Sequence, residues 1–331
     1  MKKALIGAAI FGGAIACALL LLPAERKYQG RTITAWQNDW AAGKRQDEFQ
    51  AALRHFGTNA LPYAVRNLAL NDSKWRSYYS SLQAKLPSLL QMFFPKRRPL
   101  LKEVDGANVF FYLGSNSIPH AVALLKHDSP TVRRAAAWGL GSLRRQSAAA
   151  DQAIPALIEA LADKDRQVRF FTALSLGNMG PDASNAVPAL TKVVASPGIG
   201  PATNDFIYLR AAAAVALGKI GPAAATALPT LKAALQEPNS YLRGQTAVAI
   251  WRIDSDADTA LPVLLQEMPG TNEHDKWNWI IALGEMGPRA KEAVPQLQKE
   301  LEEDREKWIL SYVTNALKSI DPEAAAKAGM K

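Results

Sequence analysis

Apolar residues along this chain recur on two nested periods. Within short stretches they fall four apart, as in Leu157 and Leu161, Leu190 and Val194, Leu231 and Leu235, Leu264 and Met268, and Leu297 and Leu301. Residues i and i+4 share one face of a helix, so each stretch predicts a short amphipathic helix. An apolar–Pro pair stands just ahead of each: Ile154-Pro155, Val187-Pro188, Leu228-Pro229, Leu261-Pro262 and Val294-Pro295, with Leu61-Pro62 and Ile118-Pro119 earlier. From Pro119 onward these prolines are 36, 33, 41, 33 and 33 residues apart. Proline is tolerated in the first helical turn, where its missing N–H has no partner to lose, so each is expected to open a helix. The β-branched alternation of strands is nearly absent beyond residue 35, and the expectation is an all-α chain.

A second marker keeps phase with the first. A basic residue follows the proline by 14 places at Arg76, Arg133, Arg169, Arg243 and Lys276. Arg210 follows Pro188 by 22, because Ser196 to Pro201 inserts a loop's worth of residues. Six and seven places further on come a small and an apolar residue: Ser175-Leu176, Ala216-Leu217, Ala249-Ile250, Ala282-Leu283. Gly-Pro then closes the segment at Gly180-Pro181, Gly221-Pro222 and Gly287-Pro288, a helix stop. Each unit is therefore a longer helix, a Gly-Pro turn and a shorter helix. One such unit cannot bury its apolar face alone, and stacking neighbours does so, which gives a solenoid.

The run Asp165 to Arg169, Leu176 to Gly180 and Val187-Pro188 resembles HEAT repeats, in the short form first known from phycobilisome lyase-like proteins. Asp128 to Arg133 and Leu209-Arg210 resemble it in part. The resemblance covers residues 106–331 and implies an α-solenoid of HEAT-like helical hairpins. The layout is also similar to bacterial membrane-tethered HEAT-repeat proteins. Residues 47–105 resemble a divergent first repeat with a basic insertion, and residues 24–46 are expected to form a linker with a short helix. That helix would open on a capping box at Thr34-Ala35-Trp36-Gln37 and end at Gly43.

Residues 1–23 predict a signal anchor or transmembrane helix ahead of the solenoid. Lys2 and Lys3 precede an uncharged apolar run from Ala4 to Leu22, which Pro23 and Glu25-Arg26-Lys27 end. Nineteen residues at helical rise span about 28 Å, close to a hydrocarbon core of about 30 Å. Ala14-Ile15-Ala16 also has the form of a cleavage site, and Cys17 stands where a lipidated cysteine would, so cleavage or lipidation stays open. The short basic start favours the N-terminus inside and the solenoid outside the cytoplasm, as a cell-envelope protein; secretion after cleavage is the alternative.

Charge narrows the partner. The net charge is +9, but residues 24–105 hold 14 Lys/Arg against 7 Asp/Glu, while residues 106–331 hold 23 of each. A neutral repeat body argues against a nucleic-acid cradle. Cys17 is the one cysteine, and the four histidines (His55, His120, His127, His274) offer no convergent third metal ligand. No phosphate loop, His-Glu-x-x-His or nucleophile elbow is present. No catalytic residue, cofactor, metal or small-molecule site is therefore expected.

The arginine row Arg133, Arg169, Arg210 and Arg243 is expected to be structural, like Pro155, Pro188, Pro229, Pro262 and Pro295. Its guanidiniums would reach helix-end carbonyls or the loop acids Asp128, Asp165 and Asp205. Binding candidates are fewer. Residues one, three and four after each proline should face outward, giving the polar row Glu159, Thr191, Lys192, Thr230, Lys232, Gln266, Gln298 and Lys299. Trp277 and Trp279 break the small-residue pattern of their helix, Trp279 taking the place of Thr172 and Ala213. Lys96, Arg97 and Arg98, beside Phe93 and Phe94, suit an anionic ligand. The expected function is a non-enzymatic scaffold that binds a peptide or protein segment in the solenoid groove. The alternatives are a lyase-like enzyme or enzyme subunit, and an anionic-lipid or nucleic-acid binder acting through the basic insertion.

Overall fold

The computed structural model describes residues 26–72, 103–143, 150–196, 204–270, 273–302 and 307–327. The N-terminal apolar run, Arg76 and the basic stretch Lys96 to Arg98 lie outside them. A small antiparallel ribbon comes first, β1 (Lys27–Tyr28) paired with β2 (Arg31–Thr32) through Gln29 and Gly30, both at positive φ. Helix α1 (Ile33–Ala41) follows directly, then α2 (Gln46–Phe56) and α3 (Leu61–Ala69). The capping box expected at Thr34 is displaced by two residues. Thr32 ends the ribbon in an extended conformation, so it is the residue free to cap, and its Oγ1 accepts the Ala35 N–H at 3.2 Å. Gly43, at φ +74, closes the segment as expected. Ile33, Trp36 and Trp40 of α1 are buried, with Trp40 against Phe49 of α2 at 4.4 Å between rings. This aromatic face seals the open end of the array.

Long and short helices then alternate. The long ones are α4 (Glu103–Leu113), α6 (Pro130–Ser142), α8 (Arg166–Met179), α10 (Asn204–Ile220), α12 (Ser240–Asp254), α14 (Glu273–Met286) and α16 (Lys307–Ile320). The short ones are α5 (Ile118–Leu124), α7 (Ala150–Ala160), α9 (Val187–Ala195), α11 (Leu228–Ala234), α13 (Ala257–Glu267), α15 (Val294–Glu302) and α17 (Pro322–Lys327). Each long helix packs on the next, and each short helix closes the joint behind them. The stretch Phe206–Ala234 is long and apolar enough to cross a membrane, but most of it is buried within this array.

The Leu-Gly-x-x-Gly signature assigns its two glycines different work. The first lies inside the long helix, at the crossing with the next one. A Cβ on Gly177 would stand 2.7 Å from the Ala216 Cα, and one on Gly218 2.8 Å from the Ala249 Cα. Only hydrogen lets the backbones come that close. The second glycine is the stop: Gly180 and Gly221 sit at φ +63 and +76, which a side chain rarely adopts, and a 3-10 turn leads into the short helix. Pro188 and Pro229 fall in the first turn of α9 and α11, as expected.

Two prolines do not. Pro155 and Pro262 lie inside their helices, five residues past the start. For α13 the reason is visible. Asp256 caps a new helix, accepting the Thr259 N–H at 2.9 Å and the Thr259 hydroxyl at 2.7 Å, while Ser255 takes the left-handed conformation that glycine supplies elsewhere.

That unit also carries the largest irregularity. Trp251 occupies the place of Gly177 and Gly218 in α12, and Trp279 fills a small-residue place in α14. Trp279 is fully buried, its ring seated over Gly244, where a Cβ would stand 2.1 Å from it. Its indole N–H finds no acceptor among the described residues. The buried apolar residues accordingly fall into two clusters that share α12: Ala249, Ile250 and Ile253 belong to one, Ala247 and Val248 to the other. A double-mutant cycle tests the seat. Gly244→Ala alone should cost about 1–3 kcal/mol by overpacking. In a Trp279→Leu background the same change should be neutral, or stabilising by up to about 1 kcal/mol through helix propensity. Additive effects in the denaturation curves would mean that the ring does not rest on Gly244.

Candidate binding surface

The marker cations are consumed by the scaffold. A helix C-terminus leaves carbonyls unsatisfied and carries partial negative charge, so a guanidinium close by is stabilising. Arg133 donates to the carbonyls of His127 (2.9 Å) and Asp128 (3.0 Å) beyond α5, and clasps the Asp163 carboxylate with Nε and Nη2 at 2.7 and 2.9 Å. Arg210 joins the Val194 carbonyl (2.8 Å) to Glu237 (2.7 Å), and Arg243 joins the Glu237 carbonyl (2.6 Å) to Glu267 (2.7 Å). Lys276 meets Glu300 at 2.7 Å with both side chains buried. Each of these three arginines thus ties the end of one short helix to the end of the next, and Lys276 holds the second end alone.

The helix-end carbonyls expected for this row are present, and the expected acids are replaced. Asp165 instead takes Arg134 at 2.9 and 3.0 Å and caps α8 through the Val168 N–H. Asp128 contributes only its carbonyl to Arg133, and the Asp205 side chain lies outside the described residues. The acids at work stand five or eight places after each proline, 24 to 30 residues from their cation. In the unit with the insertion that place is Ser196. Arg169 there reaches the Asp163 carbonyl at 2.7 Å and makes no ion pair among the described residues.

Three aspartates fasten helix starts, with carboxyls held below the usual range. Burial pushes Asp72 up, but hydrogen bonds from Ser129 and from the Thr131 N–H and hydroxyl, with Arg134 nearby, bring it below its ordinary value. Burial likewise opposes, and the Arg134 and Val168 hydrogen bonds outweigh, at Asp165. Thr259 lowers Asp256.

The short helices turn their apolar residues inward: Leu190 and Val194 in α9, Leu231 and Ala234 in α11, Leu264 in α13 and Leu297 in α15 are buried. The predicted row points the other way. Glu159, Lys192, Lys232, Gln266 and Lys299 are exposed, with Thr191, Thr230 and Gln298 half-buried. Glu159 pairs with Lys126 and Lys232 with Asp256, each at 3.0 Å. Lys192 and Lys299 make no ion pair among the described residues.

Residues 118–199 match the family of HEAT repeats, and residues 209–237 match the PBS lyase HEAT-like repeat. These two segments are HEAT repeats. Among solved structures it is similar to the complex of CpcE and CpcF of phycocyanin lyase from Nostoc sp. PCC7120, at 22% identity and a TM-score of 0.50, covering 72% of this chain and 96% of that one. It is also similar to an archaeal HEAT-like repeats protein from Thermococcus onnurineus NA1, at 14% identity and a TM-score of 0.37, covering 66% of this chain and 92% of that one. At 22% identity the likeness to the lyase complex is one of fold alone. No curated protein matches the chain in sequence.

The helix array separates the predicted binding residues. Lys192, Lys232 and Gln266 share the short-helix side, whereas Trp277 stands on long helix α14, 42% exposed, with its ring 6.2 Å from Tyr312 of α16. Sequence reasoning missed the related pairs Trp138–Phe171 (4.9 Å, stacked) and Tyr208–Tyr241 (5.2 Å), which also join successive long helices. The signal was available in aromatics recurring on the long helices' polar side. Of the histidines, His127 accepts the Ser129 N–H at 3.0 Å, and no group of three metal-ligating side chains converges among the described residues.

A structural ladder makes a specific expectation. Lys276→Met removes the buried cation that meets the Glu300 carboxylate and should cost about 3–5 kcal/mol in chemical denaturation, while Lys276→Met with Glu300→Leu should recover most of it. A double variant as unstable as the single one would show that the pair's charge matters beyond mutual neutralisation.

Proposed function

We propose that this HEAT-repeat protein is a non-enzymatic interaction scaffold of the cell envelope, gripping an extended segment of a partner protein along its short-helix side. The observation that carries the reading is the division of polar groups. The ladder cations are committed to the fold, whereas the short-helix row is exposed, mixed in charge and repeated from α7 to α15. A row of alternating cations, amides and hydroxyls suits a polypeptide better than a polymer of one charge sign. The apolar run of residues 4–22 would hold the array to a membrane, with the repeats outside the cytoplasm. The match to a PBS lyase HEAT-like repeat favours a second reading, a lyase-like role on a bound chromophore; a visible absorbance band on the purified chain would support it.

The test combines place and surface. A C-terminal tag on the membrane-bound chain should be digested by protease admitted only outside the cytoplasmic membrane; protection would reverse the orientation. In the same cells, Lys192→Glu with Lys299→Glu should weaken cross-linking to envelope proteins tenfold or more. Stability should stay within about 0.5 kcal/mol, since these surface changes break no ion pair among the described residues. An unchanged cross-linking pattern would move the partner to another face.

A further inference from the structure

Two pairs of neighbouring short helices pack directly, α5 against α7 and α9 against α11. The first short helix, α3, is held elsewhere. Among the described residues α3 rests on α4 and α6. Asp72, just beyond it, holds it there by accepting the Thr131 N–H (3.1 Å) and hydroxyl (2.8 Å) and the Ser129 hydroxyl at the start of α6. Between α3 and α5 this leaves a pocket of about 740 Å³.

Its wall is apolar, made by Ile33, Phe56, Leu61, Val65 and Leu124. Arg26 and His120 are its ionisable basic residues, and no carboxylate is found among its described lining residues. The size is that of a small-molecule site, apolar with a few polar groups to fix orientation. We infer that the pocket binds a long-chain carboxylate, with the hydrocarbon tail between α3 and α5 and the head at Arg26 and His120.

Two features favour this ligand over a peptide. A peptide backbone needs partners for its N–H and C=O groups, and the wall supplies few; the Asn59 amide N–H is already given to the Phe56 carbonyl at 3.2 Å. The single charge sign among the described rim residues matches an anion, and arginine grips a carboxylate with two parallel hydrogen bonds. In sequence Arg26 follows the apolar run 4–22 by four residues, so a membrane anchored there would bring amphiphiles to the mouth. The inference stands without the scaffold reading, because it rests on the lining of this one pocket and not on the row of polar residues from α7 to α15.

The test measures binding of radiolabelled palmitate to the full chain in zwitterionic lipid nanodiscs, against chain-free discs. Saturable binding of one palmitate per chain is expected. Ala123→Trp, which fills the pocket from α5, should abolish it, whereas Ala233→Trp should not. Ala233 holds the same register on α11, four residues after its proline, away from the pocket. Arg26→Gln, a surface change without risk to folding, should weaken binding at least tenfold, and hexadecanol should bind at least tenfold more weakly than palmitate. No saturable binding above the blank, or binding indifferent to Ala123→Trp and Arg26→Gln, would overturn the proposal. Equal binding of the alcohol would overturn the role of the charged head.

Discussion

Successive long helices touch at a point where a glycine meets a small residue two places before the equivalent position of the next unit. Gly141 meets Ser175, Gly177 meets Ala216, Gly218 meets Ala249 and Gly284 meets Ala316, with a Cβ excluded or crowded at each. That contact sets how near two helices come and where along their length they cross. It costs helix propensity, about 1 kcal/mol per glycine relative to alanine, and returns close packing over the whole joint. Ser175 exploits the proximity by donating to the Ala137 carbonyl at 2.8 Å, and Ser319 does the same to the Gly284 carbonyl. With the long helices fixed this way, the ends of the short helices fall within reach of one side chain, and the cation ladder becomes possible.

The ladder then governs what is left for binding. Arg133, Arg210, Arg243 and Lys276 are buried or half-buried and each holds a carboxylate. A neutral body with 23 charges of each sign is therefore a consequence of internal pairing as much as of surface composition. Breaking one partner of such a pair is far more costly than removing both, so the row resists single substitutions without adding much net stability. The available polar chemistry lies on the short helices, at places that no packing requirement dictates.

Much of the fold was legible because its markers are local. Proline, arginine and Gly-Pro recur at fixed spacing, and they located the repeats, the inward leucines and the outward row. What escaped was set by residues remote in sequence. The acids of the ladder shift between five and eight places after the proline, so no fixed period reveals them. Trp279 was visibly out of place, but its seat, Gly244, belongs to the preceding helix. Pro155 and Pro262 looked like helix starts because the pair pattern was intact, whereas at Pro262 a cap by Asp256 had moved the start upstream. The pocket left no signal, since it arises from a contact that α3 makes with α6 in place of α5.

Periodic and aperiodic parts of such an array are suited to different ligands. Where units repeat faithfully, each step presents similar groups at a similar spacing, and a ligand gains by being long; each further step adds contact without a new orientation cost. A compact ligand gains nothing from repetition and needs a cavity, and a large one needs room that close stacking reduces. Among the described residues the α3/α5 joint and the α12/α14 crossing both depart from the regular pattern, and the two are resolved differently. At α12/α14 the chain fills the space itself, with Trp279 driven onto Gly244. At α3/α5 the space stays open, lined with apolar side chains and edged with a cation. A gap that only served to end the array could have been filled by one larger residue at Ala123.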